Sequence, residues 1–242
     1  MNVALIMGRA GSKSIPGKNL IEICGKPLVF WPLQAALNAA RIDLVAVTSD
    51  CPEIQRISRG MGVEIIERPR SLAQDTAQMV DGITHALEAF AKKGLEVEHL
   101  VTMHANCATH SPGLIDSCLE RLGLDPAADS CVTGSIDKGV HPFRTRKLGE
   151  CGLLETWNAI PEGTSSNRQS LEPCVVLDGA ARAMRVSSCF PPNGDAPFPY
   201  LGKRILFTEN PGGLDVHDEG DMLLSKLFLL RHYPELNESL QE

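Results

Sequence analysis

The sequence predicts an α/β protein, a mostly parallel sheet flanked by helices with a small inserted lobe, and three observations lead there. Six short apolar runs of strand length recur along the 242 residues, and continuous runs of this kind suit strands buried on both faces of a parallel sheet. Amphipathic stretches of helical period lie between them. From about residue 138 to residue 198 the alternation breaks, with frequent proline and glycine, shorter apolar runs and a gathering of basic residues. The chain 1–242 therefore reads as one domain, in which 138–198 forms a lobe that covers the site or joins subunits.

The expected strands, in order, are Val3–Met7, Leu44–Thr48, Val63–Ile66, Leu100–Met103, Cys131–Val132 and Ile205–Phe207. From Thr76 a helix is expected with Met79, Ile83, Leu87 and Phe90 on one face and Gln78, Asp81, Glu88 and Lys92 elsewhere. Ser111-Pro112 has the form of an N-cap followed by a first-turn proline, opening a helix with Leu114, Ile115, Cys118, Leu119 and Leu122. A last helix starts near Asp218 and carries Met222, Leu223, Leu227 and Leu230. In such a sheet, ligands bind beyond the carboxyl ends of the strands.

Composition narrows the function. Hydrophobic residues at 43% and charged residues at 22% are ordinary for a folded domain, which argues against disorder or a fibre. Only 5% of residues are aromatic, too few for a surface that stacks nucleic-acid bases. Lys and Arg number 23 against 30 Asp and Glu, a net charge of −7. That balance disfavours a general nucleic-acid or anionic-membrane surface and leaves room for a local basic pocket. The eight cysteines include no CxxC pair and no zinc-ligand spacing. Val3–Met7 is too short for the core of a signal peptide, and no run approaches the ~20 apolar residues of a membrane span. The expectation is a cytoplasmic protein with reduced cysteines, most of them in the core.

The strongest signal is the loop after the first strand, Gly8 to Asn19. It is glycine-rich and holds Arg9, Lys13 and Lys18, while the first carboxylate of the chain is Glu22. Glycines let backbone N–H groups approach phosphate oxygens, and cations neutralise a polyanion. The loop is neither GxGxxG nor GxxxxGK[ST], because one residue too many precedes the Gly17-Lys18 pair and Asn19 stands where Ser or Thr belongs. Dehydrogenase and P-loop readings lose ground; the competing bland reading is a solvated turn with chance charges.

Residues 9–19, Arg-Ala-Gly-Ser-Lys-Ser-Ile-Pro-Gly-Lys-Asn, resemble the opening motif of the CMP-N-acylneuraminate synthetase family, nucleotidyltransferases related to the CMP-Kdo synthetases that activate acidic sugars with CTP. Three further segments match in order: residues 67–76, Glu-Arg-Pro-Arg-Ser-Leu-Ala-Gln-Asp-Thr; Asn167-Arg168-Gln169 with Asp178-Gly179-Ala180; and Leu214-Asp215-Val216-His217 followed by Asp221. The resemblance implies a Rossmann-like core of the nucleotide-diphospho-sugar transferase type and a dimerisation and acceptor lobe. It implies that Arg9, Lys13 and Lys18, with Ala10, Gly11 and Ser12 beside them, hold the triphosphate, and that Asn19 and Arg68 contact the nucleotide. Lys18, Arg9 and Asp215 would be the catalytic set and Asp215 with His217 the metal pair, taking Mg²⁺ or alternatively Mn²⁺. His104, Asn106, Arg168, Gln169 and Asp178 would meet the acceptor. The implied partners are CTP, a small anionic acceptor such as a nonulosonate, and a second copy of the chain in a homodimer.

Three positions depart from the family pattern. His217 replaces the second Asp of a DxD pair, and imidazole is a poor ligand for hard Mg²⁺. It would ligate a softer ion, touch phosphate or acceptor, or fill space; contact with phosphate or acceptor is the favoured reading. His104 takes the place of a glutamine at the end of the fourth expected strand, where it would hydrogen-bond the acceptor or assist its deprotonation. Asp178 replaces a usual asparagine, and a fixed carboxylate repels an acidic substrate. With the basic residues Lys138, His141, Arg144, Arg146, Lys147, Arg168, Arg182 and Arg185, this keeps two alternatives open: a phosphonate acceptor, or a nucleotide-binding protein with reduced catalysis.

Overall fold

The computed structural model describes residues 1–11, 15–74 and 76–237. The chain opens with β1 (Asn2–Met7), a small ribbon of β2 (Glu22–Ile23) and β3 (Lys26–Pro27), and α1 (Phe30–Leu37). It continues through β4 (Leu44–Ser49), α2 (Pro52–Gly60), β5 (Glu64–Glu67), α3 (Met79–Lys92), β6 (His99–His104), α4 (Leu114–Leu124) and β7 (Ser130–Ile136). A second ribbon, β8 (Lys147–Leu148) and β9 (Leu154–Glu155), precedes the long β10 (Val175–Arg185), α5 (Val186–Cys189), β11 (Ile205–Glu209) and α6 (Glu219–His232).

Seven strands form the central sheet in the order β11-β7-β10-β6-β1-β4-β5. Only β10 runs antiparallel to its neighbours, β6 and β7. The strand order reverses at β1, whose next strand, β4, lies on one side while β6 lies on the other. This is the topological switch point at which open α/β sheets bind ligands.

The core has two layers because successive strand residues face opposite ways. Ala4 and Ile6 of β1 pack with Leu33 of α1, Ile54 of α2 and Leu122 of α4, whereas Val3 and Leu5 pack with Ile83 and Phe90 of α3. Leu114, Ile115, Cys118, Leu119 and Leu122 are all buried, as their helical spacing predicts. Each fully buried aliphatic side chain there contributes roughly 1.5–3 kcal/mol. In α3 the expected face is also the inner one, with Gly82, Ile83, Ala86 and Phe90 buried. Eight free thiols are present, and Cys51, Cys107, Cys118, Cys131 and Cys189 are buried. Among the described residues no helix is long and apolar enough to cross a membrane.

Three expectations need correction. The segment 138–198 is not wholly a lobe: β10 lies inside it and forms a central strand of the sheet. Its Asp178-Gly179-Ala180-Ala181 run has turn-like composition, but small residues are what a strand crowded on both faces needs. The larger part outside the sheet is 137–174, with the β8–β9 ribbon and exposed Leu148, Leu153, Leu154 and Trp157. Second, α4 begins two residues later than expected, capped by Gly113 at φ 73°. Ser111 instead donates its hydroxyl to Asn210 Oδ1 at 2.8 Å. Third, α6 starts near Asp218 as expected, with Asp218 as its N-cap in a capping box with Asp221, yet it buries Ser225, Phe228 and Leu229. Leu223, Leu224 and Leu227 are exposed.

Candidate active site

Near the switch point the carboxyl ends of β1, β5 and β6 border a cleft of about 320 Å³. Its wall includes Arg9, Gly11, Lys18, Asn19, Arg68, His104 and Asn106. Seven residues expected from the sequence to serve the site thus meet in one place, from four separate segments. Ala10 continues the same loop, its N–H held by Asp50 Oδ1 at 2.8 Å. Ser12 and Lys13 lie outside the described residues.

Local structure explains the placement of the cations. Gly17 adopts a left-handed φ of 64° and opens a short 3₁₀ turn, Lys18–Leu20, a conformation that suits glycine. The turn is tied down where Asn19 Nδ2 donates to the Arg9 carbonyl at 3.1 Å and the Asn19 carbonyl accepts from Val29 N at 2.9 Å. Asn19 therefore braces the loop as well as lining the cleft. Burial lowers the Lys18 ammonium from its ordinary value; Asp215 opposes that shift and Arg9 adds to it. Arg68 donates Nε to Thr48 Oγ1 at 3.2 Å and Nη2 to the Thr48 carbonyl at 3.0 Å. Burial lowers its pKa while Asp50 pushes the other way. The first loop and Arg68 together make a cationic wall fixed from behind.

Asp215 adjoins the cleft through His104, which lines it. Its Oδ2 lies 2.8 Å from His104 Nδ1 and its Oδ1 accepts from Gly179 N at 3.0 Å. Burial pushes the carboxyl up, but hydrogen bonding and charge from His104, Arg182 and the Gly179 N–H outweigh it, leaving Asp215 below its ordinary value. Gly179 is required here, because a Cβ would collide with both the His104 ring and the Asp215 carboxylate. Asn106 steadies the same loop, donating Nδ2 to the Val216 carbonyl at 3.2 Å.

Asp178 is elsewhere. It is 4% exposed, and its Oδ1 accepts from Thr133 Oγ1 and from Ala180 N. Its Oδ2 accepts from Asn210 Nδ2 at 2.8 Å. Every oxygen is already engaged by a protein donor, so this carboxylate anchors the interior rather than meeting an acceptor. Thr109 and Asn210 complete the network and hold the loop that carries Asp215. Sequence reasoning missed both; the polar run Thr109-His110-Ser111 immediately after β6 was the available signal.

Arg168 and Gln169 also stand apart from the cleft, in an exposed 3₁₀ turn bordering a hollow with Ile136, Asp137 and Lys138. His217 is exposed, and its backbone N–H donates to Asp221 Oδ2 at 2.7 Å. Among the described residues no three His, Cys, Asp or Glu side chains gather as a metal cage. The donor set therefore fits a hard ion only in the sparse manner of Mg²⁺, with Asp215 as one protein carboxylate and the rest supplied by substrate oxygens and water. His217, a nitrogen donor, does not fit that ion. Cys107 is fully buried and its thiol is raised well above its ordinary value by burial, which removes it as a nucleophile.

A family model described as Cytidylyltransferase matches residues 3–132, more than half of the chain. The chain belongs to the cytidylyltransferase family. The resemblance carried by residues 9–19 is thereby borne out. Its relatives include N-acylneuraminate cytidylyltransferase of Oncorhynchus mykiss, 30% identical over 63% of this chain and 34% of that protein. Pseudaminic acid cytidylyltransferase of Campylobacter jejuni is 27% identical over 50% of this chain and 52% of that protein. The chain thus matches from a third to about half of these relatives' lengths. Among solved structures, CMP:2-keto-3-deoxy-manno-octonic acid synthetase complexed with CTP superposes with a TM-score of 0.67 at 17% identity, covering 95% of this chain and 98% of that one. A 4-diphosphocytidyl-2C-methyl-D-erythritol synthase superposes with a TM-score of 0.62 at 14% identity, over 94% and 99% of the two chains. These cytidylyltransferase-family likenesses place the fold class expected from the sequence on firm ground: a mostly parallel sheet with flanking helices.

Proposed function

We propose that this chain transfers CMP from CTP to an acidic acceptor, a 2-keto-3-deoxy sugar acid of the nonulosonate kind. The observation that carries the reading is one cleft lined by Arg9, Lys18 and Arg68 together with His104, whose Nδ1 lies 2.8 Å from Asp215 Oδ2. The relatives' names, N-acylneuraminate and pseudaminic acid cytidylyltransferase, supply the acceptor class.

In this reaction an acceptor hydroxyl oxygen attacks the α-phosphorus of CTP. The bond from that phosphorus to the oxygen bridging it to the β-phosphate breaks, pyrophosphate leaves, and the hydroxyl proton passes to solvent. Displacement at phosphorus demands positioning and charge neutralisation rather than a covalent intermediate. Arg9 and Lys18 meet the charge that develops on the leaving pyrophosphate, the Asn19–Arg9 hydrogen bond tying the two ends of their loop together before substrate arrives. Arg68 is fixed by Thr48 and orients the nucleotide. Asp215 would hold Mg²⁺, or alternatively Mn²⁺, which would supply further neutralisation of phosphate charge when bound. His104 and Asn106 would face the acceptor.

The exposed Leu148, Leu153, Leu154 and Trp157 support a homodimer joined through the 137–174 lobe, which would also bring Arg168 and Gln169 into a shared surface. A clustered apolar surface of this kind marks an interface more often than a solvated face. Light scattering would read a dimer; a monomer would contradict this part. The reaction itself is tested by pyrophosphate release from CTP with N-acetylneuraminic acid, pseudaminic acid and 3-deoxy-manno-octulosonic acid. Release with at least one acid is expected, and silence with all three, under Mg²⁺ and Mn²⁺, would contradict the reading.

A further inference from the structure

Arg182 of β10 is 6% exposed, and no carboxylate lies within ion-pair distance of it among the described residues. Its Nη1 donates to Tyr200 Oη at 2.7 Å and lies 3.3 Å from Met79 Sδ. Its guanidinium sits 5.1 Å from the centre of the Phe198 ring. A phenol oxygen, a thioether and an aromatic face are weak company for a guanidinium that stays charged at any ordinary pH. Asp215 feels it through space, but the two are not within ion-pair distance of each other. A buried charge without a partner is costly enough that proteins rarely keep one without a use.

Its neighbours make the same point. Arg182 pairs with Thr102 across the β10–β6 ladder, so the two side chains leave the same face of the sheet. His104, two residues beyond Thr102, projects from that face as well. Seven buried side-chain polar atoms lack a partner among the described residues, and three of them are Arg182 Nε, Thr102 Oγ1 and His104 Nε2. Buried polar groups in native proteins are otherwise nearly always satisfied, so three orphans on one face of adjoining strands mark a place prepared for a polar guest. His104 and Met79 both line the cleft, which puts the guanidinium one side chain behind its wall. That side chain is an unbranched, flexible methionine.

We propose that Arg182 and Thr102 form an anion subsite that takes the carboxylate of the acceptor, entering from the cleft past Met79. The subsite rests on the reading of the chain as a cytidylyltransferase of acidic sugars and names the residues that read the acid. Guanidinium N–H groups suit a carboxylate fork, and the Thr102 hydroxyl adds a donor. The cationic loop then remains free for the triphosphate, so the two anions of the reaction are bound by different charges.

The test compares N-acetylneuraminic acid with its carboxamide, an isostere without the charge, in wild type, Arg182→Met and Arg182→Lys. Wild type is expected to prefer the acid by about 100-fold in kcat/KM, the scale of one buried charge pair. Arg182→Met loses most of that preference through the KM for the acid, while the KM for CTP and the CTP-induced rise in Tm stay near wild type. Arg182→Lys keeps the charge without the fork and falls between; it carries the test if Arg182→Met does not fold. A purely structural arginine would lower activity on acid and amide alike, so an unchanged acid-to-amide ratio in a folded variant overturns the inference. Turnover by wild type distinguishes that result from failure of the function itself: if wild type uses none of N-acetylneuraminic acid, pseudaminic acid and 3-deoxy-manno-octulosonic acid, the proposed function falls and the subsite with it.

Discussion

The two parts of the site are built in opposite ways. The cationic wall comes mostly from one contiguous loop after β1, with Arg9, Lys18 and Asn19 within eleven residues of one another and Arg68 added from the end of β5. The second part, a cluster behind the cleft-lining His104, draws His104 from β6, Gly179 from β10 and Asp215 from the loop after β11. A contiguous phosphate loop needs only glycine geometry and local charge, so it forms wherever a parallel strand ends. The second part exists only once β10 has inserted between β6 and β7, because Gly179 is what lets the His104 ring and the Asp215 carboxylate meet. The difference teaches that the cationic part of the site is local in sequence and the His104–Asp215 part is a product of topology.

The most severe break is expected on the contiguous side. Lys18→Ala removes a cation facing the triphosphate, and kcat/KM for CTP should fall by about 100- to 1000-fold, as for loss of one preorganised electrostatic group. Steady-state pyrophosphate release checks this, with the Tm expected to change little because Lys18 is only partly buried. A loss below tenfold would remove the loop from the chemistry.

On the topological side the larger effect is on stability. Asp178→Ala strips acceptors from Thr133, Ala180 N and Asn210, and each orphaned buried donor costs about 1–3 kcal/mol. Urea unfolding should show a loss of about 3 kcal/mol or more. The acceptor KM of the surviving folded enzyme should stay near wild type, which separates an interior anchor from an acceptor ligand.

A smaller effect sharpens the same region. His110 is buried against the Ala180 carbonyl, with Nε2 3.0 Å from that oxygen, and burial lowers its pKa from the ordinary 6.5. Below about pH 6.5 the unfolded chain takes up a proton that the folded chain refuses. Stability from this residue is therefore complete above that pH and is lost as the pH falls through the folded value, at up to about 1.4 kcal/mol per pH unit. Denaturation at pH 7.5 and pH 5.5 should show the decline, and His110→Gln should flatten it. An unaltered slope in the variant would assign the acid sensitivity to other groups.

The least effect is expected at the surface of α6. Leu223→Gln and Leu227→Gln should each change stability by no more than about 0.5 kcal/mol, the range of solvated positions, whereas Phe228→Ala on the buried face should cost about 3 kcal/mol. Thermal unfolding of the three variants separates the observed helix orientation from the one that leucine spacing alone predicts.

Much of the fold was legible in residue patterns for a physical reason. β1, β4, β5 and β6 are covered on both faces, so their runs are continuous, and the inner faces of α3 and α4 carry their spacing plainly. β10 was not legible, because its Gly and Ala residues answer to crowding by His104, Asp215 and Thr133 rather than to strand propensity. Arg182 reads as one charge in a basic stretch, and only the pairing of β10 with β6 shows it buried. α6 misleads because leucines at helical spacing cover its outer side as well. The loop from Gly8 was readable at once, since its glycines and cations are adjacent in sequence. Asp215, separated from His104 by 111 residues, was reached through family likeness, and its hydrogen bonds could come only from the folded chain.

The most direct measurement is pyrophosphate release with CTP, UTP, GTP and ATP, each paired with N-acetylneuraminic acid, pseudaminic acid and 3-deoxy-manno-octulosonic acid. The account predicts release that requires both CTP and one of the acids and is at least about tenfold slower with the other nucleotides, a discrimination of about 1.4 kcal/mol. Release that proceeds equally with ATP, or that ignores the acid, would contradict a site that binds a cytidine triphosphate and a carboxylate separately.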